Sequence, residues 1–485
     1  MSFLKTQKYS AFVSLIAIVQ ALQSGRIFRE DKFRRTQLRL AAVNGEPLPE
    51  YCKSWFPIGL SSEEIDRPLS VTVLKKKLVL WKSVDGWKCA DDVCPHRAAA
   101  LSAGKINKDG DLTCRFHGWS FNAHGACSKC PNALDTLPKI GLSRMYEVRE
   151  EAGLIFVWMG DKQFDASTDP PIPVPSGNFT NDTSWLVTIP GVSWESMIEN
   201  SLDPTHAPQL HEGTFFSADA IPMKNFEIES SNTAGLKLTH SGYSTKNKDM
   251  NATRTFVAPC LVDVCYEFSN GKKQQFPLYF VPRTESTTTV FAGGLAFLPR
   301  TSIISRFFSD LAHIFFFTRE SLWIFNYQDT QIMIGQDQRR NNFKQAAFSP
   351  TATSPSDVGV AALQSWLNTY GRPFSGVVSS SPSHSSSRWN IHGRHCSICT
   401  RGLLRINALQ KQTSRVSFLA AALSISTLFL FQLDRLRLFA GLALFALLTS
   451  GFSSFLLKTR KAFLKGNKPT HDLWIRSDVF PTAAL

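Results

Sequence analysis

Two short segments that contain cysteine and histidine constrain this chain more than any other feature. The first reads C-P-H-R at positions 94–97, and the second reads C-R-F-H at positions 114–117. Seventeen residues separate His96 from Cys114, so each segment carries its own cysteine and its own histidine on a short loop. Because thiolates and imidazoles bind transition metals, these two loops are expected to meet around a metal centre.

Two thiolates and two imidazoles are the ligands of a Rieske [2Fe–2S] cluster, in which one iron takes two Cys and the other two His. The alternative is a structural zinc site of the Cys2His2 type. A zinc finger normally keeps its two cysteines together and its two histidines together, whereas each segment here holds one of each. The pattern therefore predicts a Rieske cluster bound by Cys94, His96, Cys114 and His117.

A second candidate metal site follows further along the chain, where Asn200, Asp203, His206 and His211 form N-x-x-D-x-x-H-x-x-x-x-H. A ferrous oxygenase site needs two histidines and one carboxylate, which leaves coordination positions for O2 and substrate. Asp329 is the candidate carboxylate, because an unpaired charge on its apolar, aromatic segment would be costly. The alternatives are a helix cap or salt bridge for Asp329 and ordinary core or surface roles for the histidines.

With these motifs, residues 50–400 resemble Rieske-type non-haem iron oxygenases. The C-P-H-R and C-x-x-H-G-W forms are those of the oxygenases, and the extra disulfide cysteines of respiratory Rieske proteins are missing. The resemblance implies that His206, His211 and Asp329 bind iron and that Asn200 and Asp203 serve catalysis. Asp203 would hydrogen-bond to His206 and to a cluster histidine of a neighbouring subunit, because such proteins commonly form trimers.

Within this family, the plastid branch is the most similar, namely pheophorbide a oxygenase and the Rieske component of the inner-envelope translocon. The shared feature is a C-terminal C-x-x-C, here Cys396 and Cys399, followed by two apolar runs. The resemblance implies a redox-regulated dithiol that thioredoxin could reduce. The alternative is a pair of thiols without a role. Cys127 and Cys130 form a further C-x-x-C that departs from the family pattern, and no role is assigned to them.

The patterning and the resemblance together predict an α+β protein in five parts. These are a targeting peptide at 1–43, an antiparallel β Rieske domain at 50–160, a helix-plus-antiparallel-sheet catalytic domain of the helix-grip (START-like) type at 178–375, a linker with the C-x-x-C at 376–415, and a transmembrane helical hairpin at 416–457. Residues 161–177 read as a connector. The aromatic segment Phe307–Gly335 is predicted to be a buried core helix.

The two ends of the chain predict membrane association and import. Val416–Leu433 and Leu438–Leu457 are each near the length of a membrane span, and basic residues lie on both outer flanks. They predict a hairpin with the catalytic domain on the stromal side of the inner envelope or thylakoid; amphipathic surface helices are the alternative. The apolar run Ala11–Leu22 and the arginines after it predict a two-part plastid address, with an N-terminal membrane-associated helix as the alternative.

The formal net charge of +14 does not indicate a nucleic-acid partner, because it is concentrated at the ends. Residues 1–43 carry +6 and residues 394–468 carry +11, so residues 44–393 carry −2. Ten cysteines are too few for a disulfide scaffold in a chain of 485 residues, which favours a reducing compartment.

The resemblance implies an enzyme that uses O2 and electrons from reduced ferredoxin, since no G-x-G-x-x-G follows a predicted strand. The expected substrate is a chlorophyll-derived tetrapyrrole, with pheophorbide a foremost, because an apolar molecule of this kind suits a membrane hairpin. Three alternatives stay open: a purely electron-transferring Rieske protein, a redox-sensing component of the plastid import machinery, and a sterol desaturase of the same superfamily.

Overall fold

The computed structural model describes residues 48–61, 66–133, 136–161, 163–175, 185–211, 218–293, 302–318, 320–342, 354–374, 389, 393, 396–428 and 434–465. The predicted targeting peptide lies outside these residues, as does most of the first half of the predicted linker.

The region up to Trp158 contains three small antiparallel sheets. The first has the order β1-β11-β10, formed by Trp55–Leu60, Leu154–Trp158 and Val148–Glu151. The second has the order β2-β3-β4-β9, formed by Leu69–Val73, Lys76–Ser83, Gly86–Asp91 and Met145–Tyr146. The third has the order β5-β6-β7-β8, formed by Lys105–Ile106, Leu112–Thr113, Ser120–Phe121 and Cys127–Lys129. The third sheet and the loops beside it carry the C-x-H and C-x-x-H segments.

The following region is organised by one seven-stranded antiparallel sheet with the order β12-β18-β17-β16-β15-β14-β13. In that order the strands are Trp185–Pro190, Thr287–Ala292, Lys273–Thr284, Leu261–Phe268, Met250–Val257, Gly235–Ser241 and Phe226–Asn232. Side chains alternate between the buried and the more exposed face along β15, as expected for a strand with one face on a core. The predicted α+β fold class is confirmed, whereas the exact domain boundaries stay predictions.

Helices cover this sheet and extend beyond it. They are α1 (Trp194–Leu202), α2 (His206–Leu210), α3 (Ile303–Thr318), α4 (Glu320–Asn342), α5 (Val358–Tyr370), α6 (Ser397–Leu428) and α7 (Asp434–Lys465). Ser193 caps α1, because its hydroxyl accepts a hydrogen bond from the backbone N–H of Ser196. Trp194 and Ile198 of α1 and Trp366 of α5 are buried against the sheet.

The β region and the seven-stranded sheet share one hydrophobic core. Trp55 and Phe156 from the β region belong to the same cluster of buried residues as Tyr279 and Phe291 from the sheet. The rings of Phe156 and Tyr279 meet edge to face, with centroids 5.7 Å apart. The connector takes part in this core, since the ring of Phe164 lies 5.0 Å from that of Trp55. The two regions are therefore joined by packing as well as by the chain.

The C-terminal helices α6 and α7 pack against each other in an antiparallel pair. Hydroxyl groups bridge them: Ser414 Oγ lies 2.7 Å from Ser453 Oγ, and Ser417 Oγ donates to the carbonyl of Ala446 at 2.9 Å. Within the described residues, one helix is long and apolar enough to span a membrane, Leu436–Ala462. Small hydroxyl residues between helices are typical of membrane helix pairs.

One prediction about the aromatic segment is wrong in part. Its first turns, in the middle of α3, expose their large apolar side chains, with relative exposures of 57% for Phe307, 54% for Phe308 and 50% for Leu311. The later part of the segment, in α4, does reach the core, where Met333 and Ile334 are buried. The aromatic content alone did not distinguish these two environments.

Candidate metal centres

The two cysteine–histidine segments form two loops with the same backbone hydrogen bonds. In the first loop, the N–H of Cys94 donates to the carbonyl of Ala99, and the N–H of Ala98 donates to the carbonyl of Cys94, both at 2.8 Å. The second loop repeats this pattern around Cys114, which bonds to Trp119 at 2.8 Å and to Gly118 at 3.0 Å. Ala98 and Gly118, each four residues after the cysteine, both have left-handed φ values of 55° and 73°.

These loops bury the thiols and leave the imidazoles near the surface. Cys94 and Cys114 are 3% and 2% exposed, and burial is the main cause that raises the pKa of the Cys94 thiol. The rings of His96 and His117 are only partly buried and lie with centroids 4.7 Å apart. Trp119 stacks on His96 at 4.4 Å. All four residues predicted to bind the cluster are therefore brought together.

This arrangement fits a Rieske cluster. The thiols lie inside, where they would hold one iron, and the two imidazoles lie outside, where they would hold the other. The imidazoles open onto a surface groove of about 740 Å³, which Arg97, Trp119 and Cys130 also line. The histidine side of the proposed cluster site is therefore reachable from the protein surface.

The second predicted ligand set also comes together, although its members lie on two helices or their ends. His206 begins α2, His211 ends it, and Asp329 lies on α4. Asp329 Oδ1 is 3.5 Å from His206 Nε2 and 3.6 Å from His211 Nε2. One donor atom from each of these residues lies within 4.8 Å of the other two.

Neighbouring groups orient both imidazoles toward Asp329. His206 Nδ1 lies 2.6 Å from the carbonyl oxygen of Asp203, and His211 Nδ1 lies 3.1 Å from Oε1 of Gln328. Because each of these oxygens only accepts hydrogen bonds, each Nδ1 carries the hydrogen. The lone pair of each Nε2 then faces the space beside the Asp329 carboxylate. Histidines that bind a metal generally donate their other ring N–H to an oxygen in this way.

The charge balance of this site favours a bound cation. Burial raises the pKa of Asp329 to about 7, although a hydrogen bond from Asn200 acts in the opposite direction. Burial lowers the pKa of His206, and it lowers that of His211 to about 4. Two neutral imidazoles and one buried carboxylate match the 2-His-1-carboxylate set of non-haem ferrous sites. The residues present therefore fit a mononuclear iron.

Asn200 and Asp203 both lie at this site but contact it differently. Asn200 Nδ2 donates to Asp329 Oδ1 at 3.2 Å and lies 3.4 Å from His206 Nε2. Asp203 bonds to His206 through its main-chain carbonyl, whereas its carboxylate Oδ2 is 4.0 Å from His206 Nδ1. The other carboxylate oxygen accepts from the N–H and hydroxyl of Thr205 at 2.8 and 2.6 Å. Of the two hydrogen bonds expected of Asp203, the one to His206 is therefore made by its main-chain carbonyl rather than by its side chain.

Two residues that support the site were missed by sequence reasoning. Gln328 is one; it is next to Asp329 in the sequence, and nothing in its pattern distinguishes it. Arg254 is the other: its guanidinium is buried and donates to His240 Nε2 at 2.9 Å, to the hydroxyl of Tyr266 at 2.9 Å and to the carbonyl of Ser201. The signal that could have identified Arg254 is a charged residue at one of the alternating positions of β15 that face the core.

The C-terminal cysteine pair also has a defined environment. Cys396 immediately precedes α6 and Cys399 lies in its first turn, and both thiols approach His313 of α3. Cys127 and Cys130 are half-buried in the β region, and the Cys127 thiol donates to the carbonyl of Lys129 at 3.6 Å. The redox role of Cys396 and Cys399 stays a prediction.

Comparison with known proteins bears on the Rieske domain and on the family that this chain resembles. A model of the Rieske [2Fe-2S] domain matches residues 54–140. Protein TIC 55, chloroplastic, of Arabidopsis thaliana is 34% identical over 250 residues, which cover 48% of this chain and 44% of that protein. Pheophorbide a oxygenase, chloroplastic, of Oryza sativa subsp. japonica is 32% identical over 220 residues, which cover 42% of this chain and 40% of that protein. This chain therefore matches less than half of the length of either relative.

A crystal structure of dicamba monooxygenase bound to dicamba has a similar fold, with a TM-score of 0.51 and 18% identity. The match covers 66% of this chain and 98% of that one. At this identity the similarity concerns the fold alone. The resemblance expected from the motifs is confirmed: the chain carries a Rieske [2Fe–2S] domain and is similar to the plastid branch of Rieske proteins that includes pheophorbide a oxygenase and TIC 55.

Proposed function

We propose that this protein is a plastid, membrane-anchored Rieske oxygenase that uses O2 and ferredoxin-derived electrons to oxygenate a chlorophyll-derived tetrapyrrole, pheophorbide a in the first instance. The observation that carries the proposal is the meeting of His206, His211 and Asp329 in a chain that also has a Rieske domain. An electron carrier would need only the cluster ligands, and a buried 2-His-1-carboxylate set would have no use in it.

When bound, the cluster would supply single electrons and the ferrous ion would supply O2 activation. The chain's own residues then hold the ligands in place. The carbonyl of Asp203 and the amide oxygen of Gln328 fix the two imidazoles, and the amide of Asn200 donates to the carboxylate of Asp329. These bonds hold the three ligand side chains together, and a set of three protein ligands would leave coordination positions of a bound iron for O2 and substrate.

The Asp203 carboxylate is the group proposed to link the two centres. Its side chain is 31% exposed while its backbone holds His206, so it lies between the candidate iron site and solvent. In a homotrimer, the cluster histidine of a neighbouring subunit could hydrogen-bond to this carboxylate. The proposed path would then run from that histidine through Asp203 to His206.

The C-terminal hairpin supports a membrane location. Leu436–Ala462 is long and apolar enough to span a bilayer, and outward-facing apolar residues on both hairpin helices, such as Phe418 and Leu447, are exposed. The exposed apolar residues of α3 adjoin this hairpin through the contact of His313 with Cys396 and Cys399. We propose that this face rests on the membrane, from which an apolar pigment would reach the site.

A second candidate function is redox sensing in the plastid import machinery, which the C-terminal C-x-x-C and its resemblance to the Rieske component of the inner-envelope translocon favour. Such a protein could keep both metal sites without turning over a pigment. The two candidates differ in whether O2 consumption depends on an added substrate.

The test is incubation of the purified protein with reduced ferredoxin, 18O2 and a panel of pigments that contains pheophorbide a and chlorophyllide a, followed by mass spectrometry. The proposal predicts a product that contains 18O with one pigment and no product with His206→Ala. His124→Ala, which changes an exposed histidine outside both ligand sets, should behave like the wild type. Fully iron-loaded wild type that oxygenates no pigment would refute the oxygenase proposal and favour the sensor.

A further inference from the structure

A third group of metal-binding side chains lies where α3 meets the start of α6. His313 of α3 points its Nε2 at both cysteines of the C-terminal C-x-x-C, 3.4 Å from Sγ of Cys396 and 3.4 Å from Sγ of Cys399. All three donor atoms lie within 4.8 Å of one another. These residues belong to neither the cluster ligands nor the candidate iron ligands, and they are separated by 83 and 86 positions in the sequence.

We propose that His313, Cys396 and Cys399 bind a zinc ion, with the fourth position taken by water or an additional ligand. Zinc is held by cysteine sulfur at ~2.3 Å and by histidine nitrogen at ~2.0 Å in a tetrahedral arrangement. These bond lengths place a sulfur ligand and a nitrogen ligand roughly 3.5 Å apart. The two S···N distances of 3.4 Å are therefore already those of a zinc site.

The local helix geometry explains how the two thiols reach one ion. Cys396 and Cys399 are three residues apart at the beginning of a helix, so their side chains lie on the same side of it. The N–H of Thr400 donates to the carbonyl of Cys396 at 2.9 Å, which joins the first cysteine to the helical turn. His313 approaches from the facing helix α3 and completes the set.

The burial of these side chains favours a metal-binding role over thiol–disulfide exchange for the two cysteines. Cys399 is fully buried and His313 is 7% exposed. Zinc would displace the two thiol protons to solvent and form two Zn–S bonds, so its charge would offset both thiolates. A thiol used for exchange with a disulfide instead needs an accessible sulfur, a condition that the fully buried Cys399 does not meet.

The site would join the hairpin to the catalytic region. Ile314 of α3 and Leu403 of α6 pack in the same small apolar cluster as the two cysteines. The helix that follows α3 is α4, which carries Asp329. A zinc ion at His313 would thus fix the first hairpin helix to the helices that lead to the candidate iron site, and its binding energy would contribute to folding there.

The experiment uses the full-length protein, purified in detergent under anaerobic, reducing conditions. Metals are measured by inductively coupled plasma mass spectrometry, and the zinc environment by X-ray absorption at the zinc edge, where iron does not interfere. We expect about one zinc per chain, with two sulfur neighbours at ~2.3 Å and nitrogen at ~2.0 Å. Cys396→Ser, Cys399→Ser and His313→Ala should each lose most of the zinc while the iron content stays at the wild-type level.

Cys265→Ser is the matched control, because Cys265 is half-buried like Cys396 but lies on β16. It should retain zinc. Zinc-free wild type, zinc without sulfur neighbours, or a Cys396–Cys399 disulfide in zinc-free protein would each overturn the proposal. The absorption measurement on wild type needs no variant, so a variant that fails to fold does not remove the test. Oxygenase activity does not enter the readout, so the zinc site and the proposed function stand or fall separately.

Discussion

The two centres of this molecule are assembled over very different lengths of chain. The cluster ligands lie between Cys94 and His117, on two loops that repeat the same pair of backbone hydrogen bonds. The candidate iron ligands extend from His206 to Asp329 and meet only because α4 packs beside α1 and α2. The first centre is therefore encoded locally, whereas the second depends on tertiary contacts between distant elements.

Those tertiary contacts can be named. Asp337 of α4 accepts from the backbone N–H of Ser193 at 2.7 Å and from the hydroxyl of Ser196 at 2.5 Å, which fixes the beginning of α1. Arg340 of α4 pairs with Glu199 of α1 at 2.6 Å. Asp337 lies eight residues, or about two helical turns, after Asp329, so both face the same side of α4. The helix that brings the carboxylate is thereby aligned with the helix that leads to the histidines.

The largest expected effect is the loss of one metal centre while the other is kept. Asp329→Ala should abolish product formation and remove about one iron per chain, because it deletes one of three ligands. It should leave the Rieske paramagnetic signal of the reduced protein intact. Cys114→Ser should do the opposite, removing the signal and about two irons. Iron analysis together with electron paramagnetic resonance measures both.

The matched control is Asp263→Ala, a partly exposed carboxylate on β16 outside both ligand sets, which should keep iron and signal. If Asp329→Ala kept its full iron content and activity, another group would have to supply the third ligand, and the assignment of Asp329 would be wrong. If it lost the Rieske signal as well, the two centres would not be structurally independent.

The next effect concerns the residue that connects the sheet to the second centre. Arg254→Met should lower the free energy of unfolding by about 2–4 kcal/mol, because one buried and two partly buried acceptors lose a charged donor. One of these acceptors is the carbonyl of Ser201 at the end of α1, two residues before Asp203. Mononuclear iron should therefore fall while the cluster signal is kept. Chemical unfolding and iron content measure the effect; equal loss of both centres would show a general defect instead.

The same contrast explains what the sequence could and could not predict. The spacing of Cys94, His96, Cys114 and His117 was sufficient to predict that these four residues lie together. Each loop is formed by residues that are neighbours in the sequence. Asp329 could be chosen only through the cost of an isolated charge in an apolar segment and through family resemblance. Gln328 and Arg254 could not be assigned, because their roles depend on which strand and helix face them. The contact of His313 with Cys396 and Cys399, 83 and 86 residues away, had no sequence signal.

A smaller effect is expected when an orienting group is removed and the ligands are kept. Gln328→Leu deletes the oxygen that accepts from His211 Nδ1 at 3.1 Å. Groups of this kind typically change metal affinity or activity by about 10–100-fold. We expect iron affinity to fall within that range, with no change in the Rieske signal. Gln328→Glu, which keeps an acceptor at this position, should retain most of the affinity; a loss equal to that of Gln328→Leu would contradict the orienting role.

The smallest effect is a change in stability, and it is expected to differ between the two cluster loops. Gly118 has a φ of 73°, and a Cβ there would lie 3.1 Å from Cγ of Pro131, whereas Ala98 already tolerates a φ of 55° at the corresponding position. Gly118→Ala should therefore destabilise the cluster region by about 1–2 kcal/mol, the cost of a left-handed residue with a side chain. Ala98→Gly should change the stability of the cluster region by less. It relieves the strain of the left-handed backbone at Ala98, but this gain is offset by the greater freedom of the unfolded chain. Thermal loss of cluster absorbance measures both variants, and equal shifts would show that the shared hydrogen bonds, rather than backbone conformation, set the stability of these loops.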